Sequence, residues 1–310
     1  MTDVTVLTPS LNYGRFIEDA ILSVLGQTGL TVQIVIQDGG SQDDTADVLA
    51  RYGNDIDWRS QPDEGQSDAL NRALSRATGR WIAWLNADEF YLPGTLLELV
   101  REGERVGADV VYGDCVVTDE VGHLLRLASQ HRFSPRVLKE FGCFISSSSA
   151  IFRRSVLGTD PWDVGVRWIM DWDLYMKLAM GGAVFRHVRQ PVGAFRSHPA
   201  QVTASQWWVW HEAPHQPTLL PAWQPERSRV GLRYGLSEDL AEDVRIFKRG
   251  RRLHRLYKLL EGSYIRERRA QALRGRDLRW FRSSDSFTNA LELAQRCYGR
   301  SVVVSQELAG

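Results

Sequence analysis

Trp81-Ile82-Ala83-Trp84-Leu85-Asn86-Ala87-Asp88-Glu89-Phe90-Tyr91 reads as a buried hydrophobic strand that ends abruptly in two adjacent carboxylates. A core strand ordinarily gives way to a turn, not to acids followed by aromatics. In an open α/β sheet, ligands gather outside the carboxyl ends of the strands. An Asp held there can bind a divalent metal and, through it, a diphosphate. The same acids also suit a loop that introduces the helix starting near Pro93. Taken alone, the stretch leaves both readings open.

The neighbouring segments decide the fold class. Upstream, Val4 to Thr8 is a β-branched strand broken by Pro9-Ser10-Leu11-Asn12-Tyr13-Gly14. Phe16, Ile17, Ala20, Ile21, Val24 and Leu25 then recur at helical spacing. Val32 to Gln37 is a second strand, and its continuous Ile34-Val35-Ile36 suits a sheet buried on both faces. It ends in Asp38-Gly39-Gly40-Ser41-Gln42-Asp43-Asp44-Thr45, where Ser41 is the expected N-cap of the next helix. A short strand surrounds Trp58, a polar turn runs from Gln61 to Asp68, and a helix from Ser67 to Ala77 closes at Gly79. Downstream come a helix from Gly94 to Val106 and a strand from Asp109 to Tyr112. Strand and helix alternate throughout, which predicts a doubly wound, mostly parallel, Rossmann-like α/β sheet with right-handed crossovers.

After Gly113 the pattern changes. Cys115 to Val117 and Leu124 to Leu127 read as a β-hairpin. A helix from Pro135 to Phe141, a small-residue run at Ser146 to Ser149 and a helix from Asp171 to Met180 follow. Strands are expected at Ala183 to Val188 and Val192 to Phe195. Beyond His198 the chain reads as mainly helical, and no internal repeat is visible.

Composition narrows the classes. The chain has 310 residues, 43% hydrophobic and 25% charged, ordinary values for a globular protein. No segment has the apolar length to span a bilayer, and the N-terminus runs straight into a strand with no signal peptide. Cys115, Cys143 and Cys297 form no metal-spaced or redox pair, so a reducing cytoplasm is expected. The zero net charge hides an asymmetry: Arg245 to Arg282 holds 14 Lys/Arg against 3 Asp/Glu.

Four polar clusters fall at strand or helix ends: Thr8-Pro9-Ser10, Asp38-Gly39-Gly40-Ser41, Asn86-Ala87-Asp88-Glu89 and Met170-Asp171-Trp172-Asp173. In a parallel sheet the first three share one edge. Asp38 could accept a hydrogen bond from a nucleobase N–H, or could serve only its own turn. The combination resembles family 2 glycosyltransferases, which have the GT-A fold. Thr8-Pro9-Ser10-Leu11-Asn12 resembles the opening signature of that family, and Asp38 to Thr45 its Asp-Asp-Gly-Ser-x-Asp-x-Thr turn. Pro62-Asp63-Glu64-Gly65-Gln66-Ser67-Asp68 resembles its Pro-Asp-x-Gly segment, and Asn86-Ala87-Asp88-Glu89 its metal motif. Met170 to Leu178 resembles the acceptor-side helix, and Phe195-Arg196-Ser197-His198 through Thr203 the segment that closes the donor site.

The resemblance implies an inverting transferase that uses a nucleoside-diphosphate sugar, with a UDP-sugar favoured. It assigns Thr8, Pro9, Ser10, Asn12, Asp38, Gly39, Gly65, Asp68, Asn86, Ala87 and Asp88 to the nucleotide-sugar site. Asp88 and His198 would hold a divalent metal, Mn²⁺ or Mg²⁺, and Asp171 would be the general base. Two positions depart from the family pattern: Asn86 stands where an Asp is usual, and Met170 where a Glu is usual. A non-catalytic nucleotide-sugar-binding module of the same fold is the alternative they raise. A nucleotidyltransferase would need a basic Gly-rich loop that Pro9 to Gly14 lacks.

Residues 1–203 are expected to form the catalytic domain, with 1–115 binding the donor and 116–203 forming the acceptor side; 204–310 is a basic helical extension. The acceptor could be a carbohydrate, a lipid-linked saccharide, a natural product or a protein. Trp162, Trp168 and Trp172 could stack on a sugar or fill the core. His187 reads as structural. In the extension, Leu253, Leu256, Tyr257 and Leu260 recur at helical spacing among Arg251, Arg252, Arg255 and Lys258, and Trp207-Trp208-Val209-Trp210 precedes them. Docking on the acidic domain or homo-oligomerisation, and contact with an anionic membrane surface, are the partners considered. The localisation expected is cytoplasmic, with peripheral attachment to the inner membrane face open, and no nucleic-acid partner is expected.

Overall fold

The computed structural model describes residues 2–201, 224–237 and 239–299; Trp207, Trp208, Trp210 and Thr203 lie outside them. In chain order the elements are β1 (Val4–Ser10), α1 (Gly14–Leu25), β2 (Val32–Asp38), α2 (Thr45–Ala50), β3 (Asp57–Ser60), α3 (Gln66–Leu74), β4 (Trp81–Trp84), β5 (Phe90–Tyr91), α4 (Thr95–Val106), β6 (Val110–Thr118), β7 (Leu124–Ala128), α5 (Pro135–Phe141), β8 (Ala150–Arg153), α6 (Met170–Met180) and β9 (Phe185–Arg196). Then come α7 (Gln224–Gly231), α8 (Leu240–Leu260), α9 (Ser263–Ala270) and α10 (Ser284–Tyr298).

Among the described residues one sheet runs β3-β2-β1-β4-β8-β6-β9-β5, with β7 added to β6. The first four strands are parallel. Side chains alternate across a strand, and both faces are covered. Leu7, Val35, Ile82 and Trp84 pack with Leu70, Ala73 and Leu74 of α3 on one face. Val6, Ile34, Ile36, Trp81 and Ala83 pack with Ile17, Ile21 and Val24 of α1 and Leu96 and Leu99 of α4 on the other. Burying such a side chain contributes about 1.5–3 kcal/mol. The order reverses between β1 and β4, so their carboxyl ends flank the switch-point crevice where ligands bind.

Beyond β4 the sheet becomes mixed. β8 enters antiparallel between β4 and β6, β6 is parallel to β9, and β5 closes the edge antiparallel to β9. The strands expected at 109–112 and 115–117 are one strand, β6, and those expected at 183–188 and 192–195 are one strand, β9. Pro191 pairs opposite Asp114, where the β6–β9 register shifts. A bulge tolerates a residue without an N–H, so the proline bends the strand rather than ending it.

Among the described residues the basic extension shares a core with the sheet. Leu273, Leu278, Trp280, Ala290 and Leu293 cluster with Phe90, Val116, Leu124 and Ala194. Arg282 pairs with Glu18 (2.9 Å) and Asp19 (2.6 Å) of α1, and the Trp280 indole N–H donates to the Tyr91 carbonyl at 2.8 Å.

Candidate active site

The crevice begins where β1 and β2 end side by side, with Ser10 opposite Asp38. Thr8 and Ser10 are buried, and the Ser10 hydroxyl has no hydrogen-bond partner among the described residues. Asn12 sits at φ 60°, a left-handed conformation that Asn tolerates better than most residues. Its Oδ1 accepts the Gln42 N–H (2.8 Å), and its own N–H donates to the Ser41 hydroxyl (2.7 Å). Ser41 therefore ties the two loops together, and the residue at the N-cap of α2 is Asp44.

Asp38 is wholly buried. Its carboxylate accepts the N–H groups of Gly40 (3.1 Å) and Ser41 (2.9 Å), the Ser60 hydroxyl (2.6 Å) and the Ser41 hydroxyl. It organises its turn before it can read any base. The carboxylate that faces the turn from outside is Asp63. A Cβ on Gly39 would lie 3.0 Å from Asp63 Oδ2, so the glycine is what lets Asp63 approach. Burial pushes the Asp63 carboxyl above its ordinary value, although its Oδ1 accepts the Gly65 N–H at 2.9 Å. Gly65, at φ 111°, permits that turn. Asp68 is committed locally, to Arg72 at 2.7 Å and the Glu64 N–H at 3.0 Å. Asp63 sits in the Pro62-Asp63-Glu64-Gly65 turn, and its approach to Gly39 is a tertiary contact that spacing does not encode.

At the end of β4, the Asn86 Oδ1 accepts from the Trp84 indole (2.8 Å) and from Gln66 Nε2 of α3 (2.6 Å). An indole N–H only donates, which fixes the amide orientation. Ala87 is buried, and it turns the chain so that Asp88 meets His198 beyond β9, Oδ2 to Nε2 at 2.9 Å. The His198 ring packs 4.6 Å from Phe16, and its backbone N–H donates to Gln201 (2.9 Å).

Arg196, 2% exposed, fixes Asp88 from behind. It donates to the Asp88 carbonyl (2.8 Å), the Glu120 carbonyl (2.6 Å) and the Asp19 carboxylate (2.7 Å). Its guanidinium lies over both Phe16 and Phe90. Beside this pair Glu89 is buried, and its Oε2 accepts the Asn86 N–H (3.3 Å). Burial, reinforced by the neighbouring Asp88 charge, pushes its carboxyl well above the usual range.

Asp88 and His198 present a carboxylate and an imidazole to one point. Among the described residues no group of three His, Cys, Asp or Glu could hold a metal alone. Carboxylate-poor Mg²⁺ sites are completed by water and substrate phosphates, and an imidazole beside a carboxylate also suits Mn²⁺. The pair fits a divalent ion of that kind.

Asp171 stands in the first turn of α6. Its Oδ1 accepts the Trp172 N–H at 2.7 Å, and burial raises its pKa. The N-cap position is Ile169, so Asp171 lies inside the helix. No hydrogen bond joins it to Asp88 or His198 among the described residues; α3 spans the gap. Gln66 holds Asn86, while the adjacent Ser67 hydroxyl meets the Met170 sulfur at 3.6 Å.

Asp173 faces away, pairing with Lys177 (2.7 Å) and accepting from Tyr234 (2.5 Å). Trp162 and Trp172 belong to the core, Trp162 edge-on to Trp84 and Trp172 donating to the Leu138 carbonyl, whereas Trp168 stays at the surface. The His187 side chain is enclosed and lies 2.8 Å from the Asp114 carboxylate.

Comparison with known proteins identifies the family. The family model described as Glycosyl transferase family 2 matches residues 5–159, half of the chain. A PGL/p-HBAD biosynthesis glycosyltransferase of Mycobacterium bovis is 28% identical over 180 residues, covering 56% of this chain and 68% of the relative. An uncharacterised glycosyltransferase of Nostoc sp. is 30% identical over 168 residues, covering 50% of this chain and 52% of its own.

Among solved structures, residues 1–349 of S. aureus TarS in complex with UDP-GlcNAc superpose with a TM-score of 0.57 at 15% identity, covering 95% of this chain and 91% of that one. The mannosyltransferase PcManGT of Pyrobaculum calidifontis, in complex with GDP-Man and Mn²⁺, gives 0.51 at 21% identity, covering 65% and 59%. These likenesses establish the GT-A fold. The chain belongs to glycosyl transferase family 2 and is a glycosyltransferase.

Proposed function

We propose that the protein moves a sugar from a nucleoside-diphosphate donor, a UDP-sugar, to an acceptor hydroxyl with inversion at the anomeric carbon. The observation that carries the reading is the Asp88–His198 pair, held at 2.9 Å beside the switch point of the sheet. The Asp63 carboxylate stands against Gly39, beyond the end of β3. It suits an N–H group of a uracil ring, with Asp38 holding the turn beside it. Asp88 and His198 would hold Mn²⁺ or Mg²⁺, which when bound supplies positive charge to the departing diphosphate. Arg196 keeps Asp88 in place.

Asp171 takes the proton of the acceptor hydroxyl. The acceptor oxygen forms a bond to the anomeric carbon as the bond to the diphosphate oxygen breaks on the opposite face. A carboxylate whose pKa burial has raised is a better base than an ordinary one. The acceptor is a carbohydrate, a lipid-linked saccharide, a natural product or a protein.

The test is a thermal-shift screen of nucleotide sugars with and without Mn²⁺, followed by turnover with the donor it selects. A donor that binds the native state raises its stability by mass action. Asp171→Asn should lower kcat by about 10²–10⁴-fold while leaving the donor-induced shift intact. Unchanged kcat would remove Asp171 as the base, and a shift that ignores Mn²⁺ would remove the metal role of Asp88 and His198.

A further inference from the structure

α8 and α9 meet at a two-residue turn, Glu261-Gly262, and the corner they form is apolar on its outer side. Leu259 (65% exposed), Leu260 (66%) and Ile265 (60%) stand out from it, flanked by the exposed Leu256 and Tyr264. Isolated exposed hydrophobics are ordinary, but a contiguous apolar knuckle marks an interaction surface.

The charges around it have one sign. Arg252, Arg255, Arg268 and Arg269 are exposed, and none of them forms an ion pair among the described residues. Both acids of the corner turn inward. Glu261 faces Arg132 (3.3 Å) and Arg189 (3.7 Å), and Glu267 holds Lys258 (2.5 Å) and the Ser129 N–H (3.0 Å). The inner face of α8 is used differently: Leu253 and Tyr257 pack on the catalytic core, and His254 bonds to His131. The outer face is left cationic with an apolar tip.

From the protruding leucines, the unpaired arginines and the inward acids, we propose that this corner seats the enzyme on an anionic lipid bilayer. The tip enters the headgroup boundary and the arginines meet lipid phosphates, as for interfacial helices with a basic polar face. Among the described residues no helix is long and apolar enough to cross a membrane, so the contact lies on the surface. A second copy docked face to face would set the same arginines against each other. A surface of this kind places a glycosyltransferase beside lipid-linked acceptors.

The experiment is co-sedimentation of the full chain with phosphatidylcholine vesicles and with vesicles that also contain phosphatidylglycerol. Binding should be tighter by on the order of tenfold or more on the anionic vesicles. The Leu259→Asp/Leu260→Asp double variant should lose binding to both. Arg252→Glu/Arg255→Glu should bring the anionic vesicles down to the neutral level. All four side chains are at the surface, so both variants should keep the wild-type thermal transition. Failure of the wild type to bind, or equal binding to both vesicle types, overturns the proposal. It is also overturned if the leucine variant still binds, or if its only change is from dimer to monomer in sedimentation equilibrium, which would make the corner an interface between copies.

Discussion

Glu89 stands one residue beyond Asp88, fully enclosed. Burial and the Asp88 charge both favour its protonated form, against hydrogen bonds from Asn86 and Ser148 that favour the charged one. The linkage has a definite sign. A carboxyl whose pKa is raised on folding binds more protons folded than unfolded. Its contribution is complete below the unfolded value of about 4.3 and is lost as pH rises through the folded value. Glu89→Gln keeps the shape and removes the titration. In urea unfolding across pH, the stability of the variant relative to wild type should therefore increase as pH rises above about 4.3; a pH-independent difference would show that Glu89 is ionised. The neighbouring residues show how far sequence reaches at this scale. Asp88 and His198 are more than a hundred residues apart in the chain, and the structure sets them 2.9 Å apart because the carboxyl ends of β4 and β9 share one edge. Asp38 and Asp63 were harder to rank. Which carboxylate is consumed by its own turn depends on the hydroxyls of Ser41 and Ser60, and that is a matter of side-chain geometry which spacing does not encode.

Helices and strands were legible where their apolar period was uninterrupted and illegible where one residue stood against the pattern. α1 and α4 follow their amphipathic stripes, and β1, β2 and β4 their apolar runs. β9 was split because a proline argues against a strand, and the bulge opposite Asp114 is a tertiary feature. The stripe Leu253-Leu256-Tyr257-Leu260 looked like one apolar face, but the structure divides it: Leu253 and Tyr257 pack inward while Leu256 and Leu260 point out. Gly250 reveals which side of α8 is docked. A Cβ there would lie 2.5 Å from the Phe141 nitrogen and 2.6 Å from the Glu140 carbonyl carbon, both backbone atoms of α5. In a free helix Gly→Ala stabilises by about 1 kcal/mol. Here the clash reverses the sign, and Gly250→Ala should destabilise by about 1–3 kcal/mol in urea unfolding. A gain in stability would mean that α8 does not pack this closely on α5.

For the whole molecule, the charge asymmetry of the sequence resolves into attachment on one side of the extension and exposure on the other. The attached side carries buried ionisable groups. Arg266 lies 3.5 Å from the buried Asp114, which also accepts from Ser129, His187 and Tyr298. Close by, His131 and His254 pair ring to ring at 2.9 Å. His131 Nδ1 lies 2.6 Å from the Arg132 carbonyl, and a carbonyl only accepts. Nδ1 therefore bears the His131 proton, and Nε2 accepts from His254 Nδ1–H. Both rings are neutral in this arrangement. Burial lowers His131 to about 4 and, with the neighbouring His131 as a further cause, lowers His254 to about 3. An unfolded histidine titrates near 6.5, so below that pH the unfolded chain binds more protons. Stability conferred by the neutral pair is present above about pH 6.5 and falls as pH drops towards 4, by about 1.4 kcal/mol per pH unit for each proton. Phe141 already stacks on the His254 ring, with centroids 4.5 Å apart, so His254→Phe keeps an aromatic ring in the contact and removes one titrating group. The variant should lose stability less steeply than wild type between pH 6.5 and 4, by one proton's worth of slope, when urea unfolding is followed at successive pH values. Identical slopes would mean that His254 is charged or exposed in the native state and that the extension is not held by a neutral histidine pair.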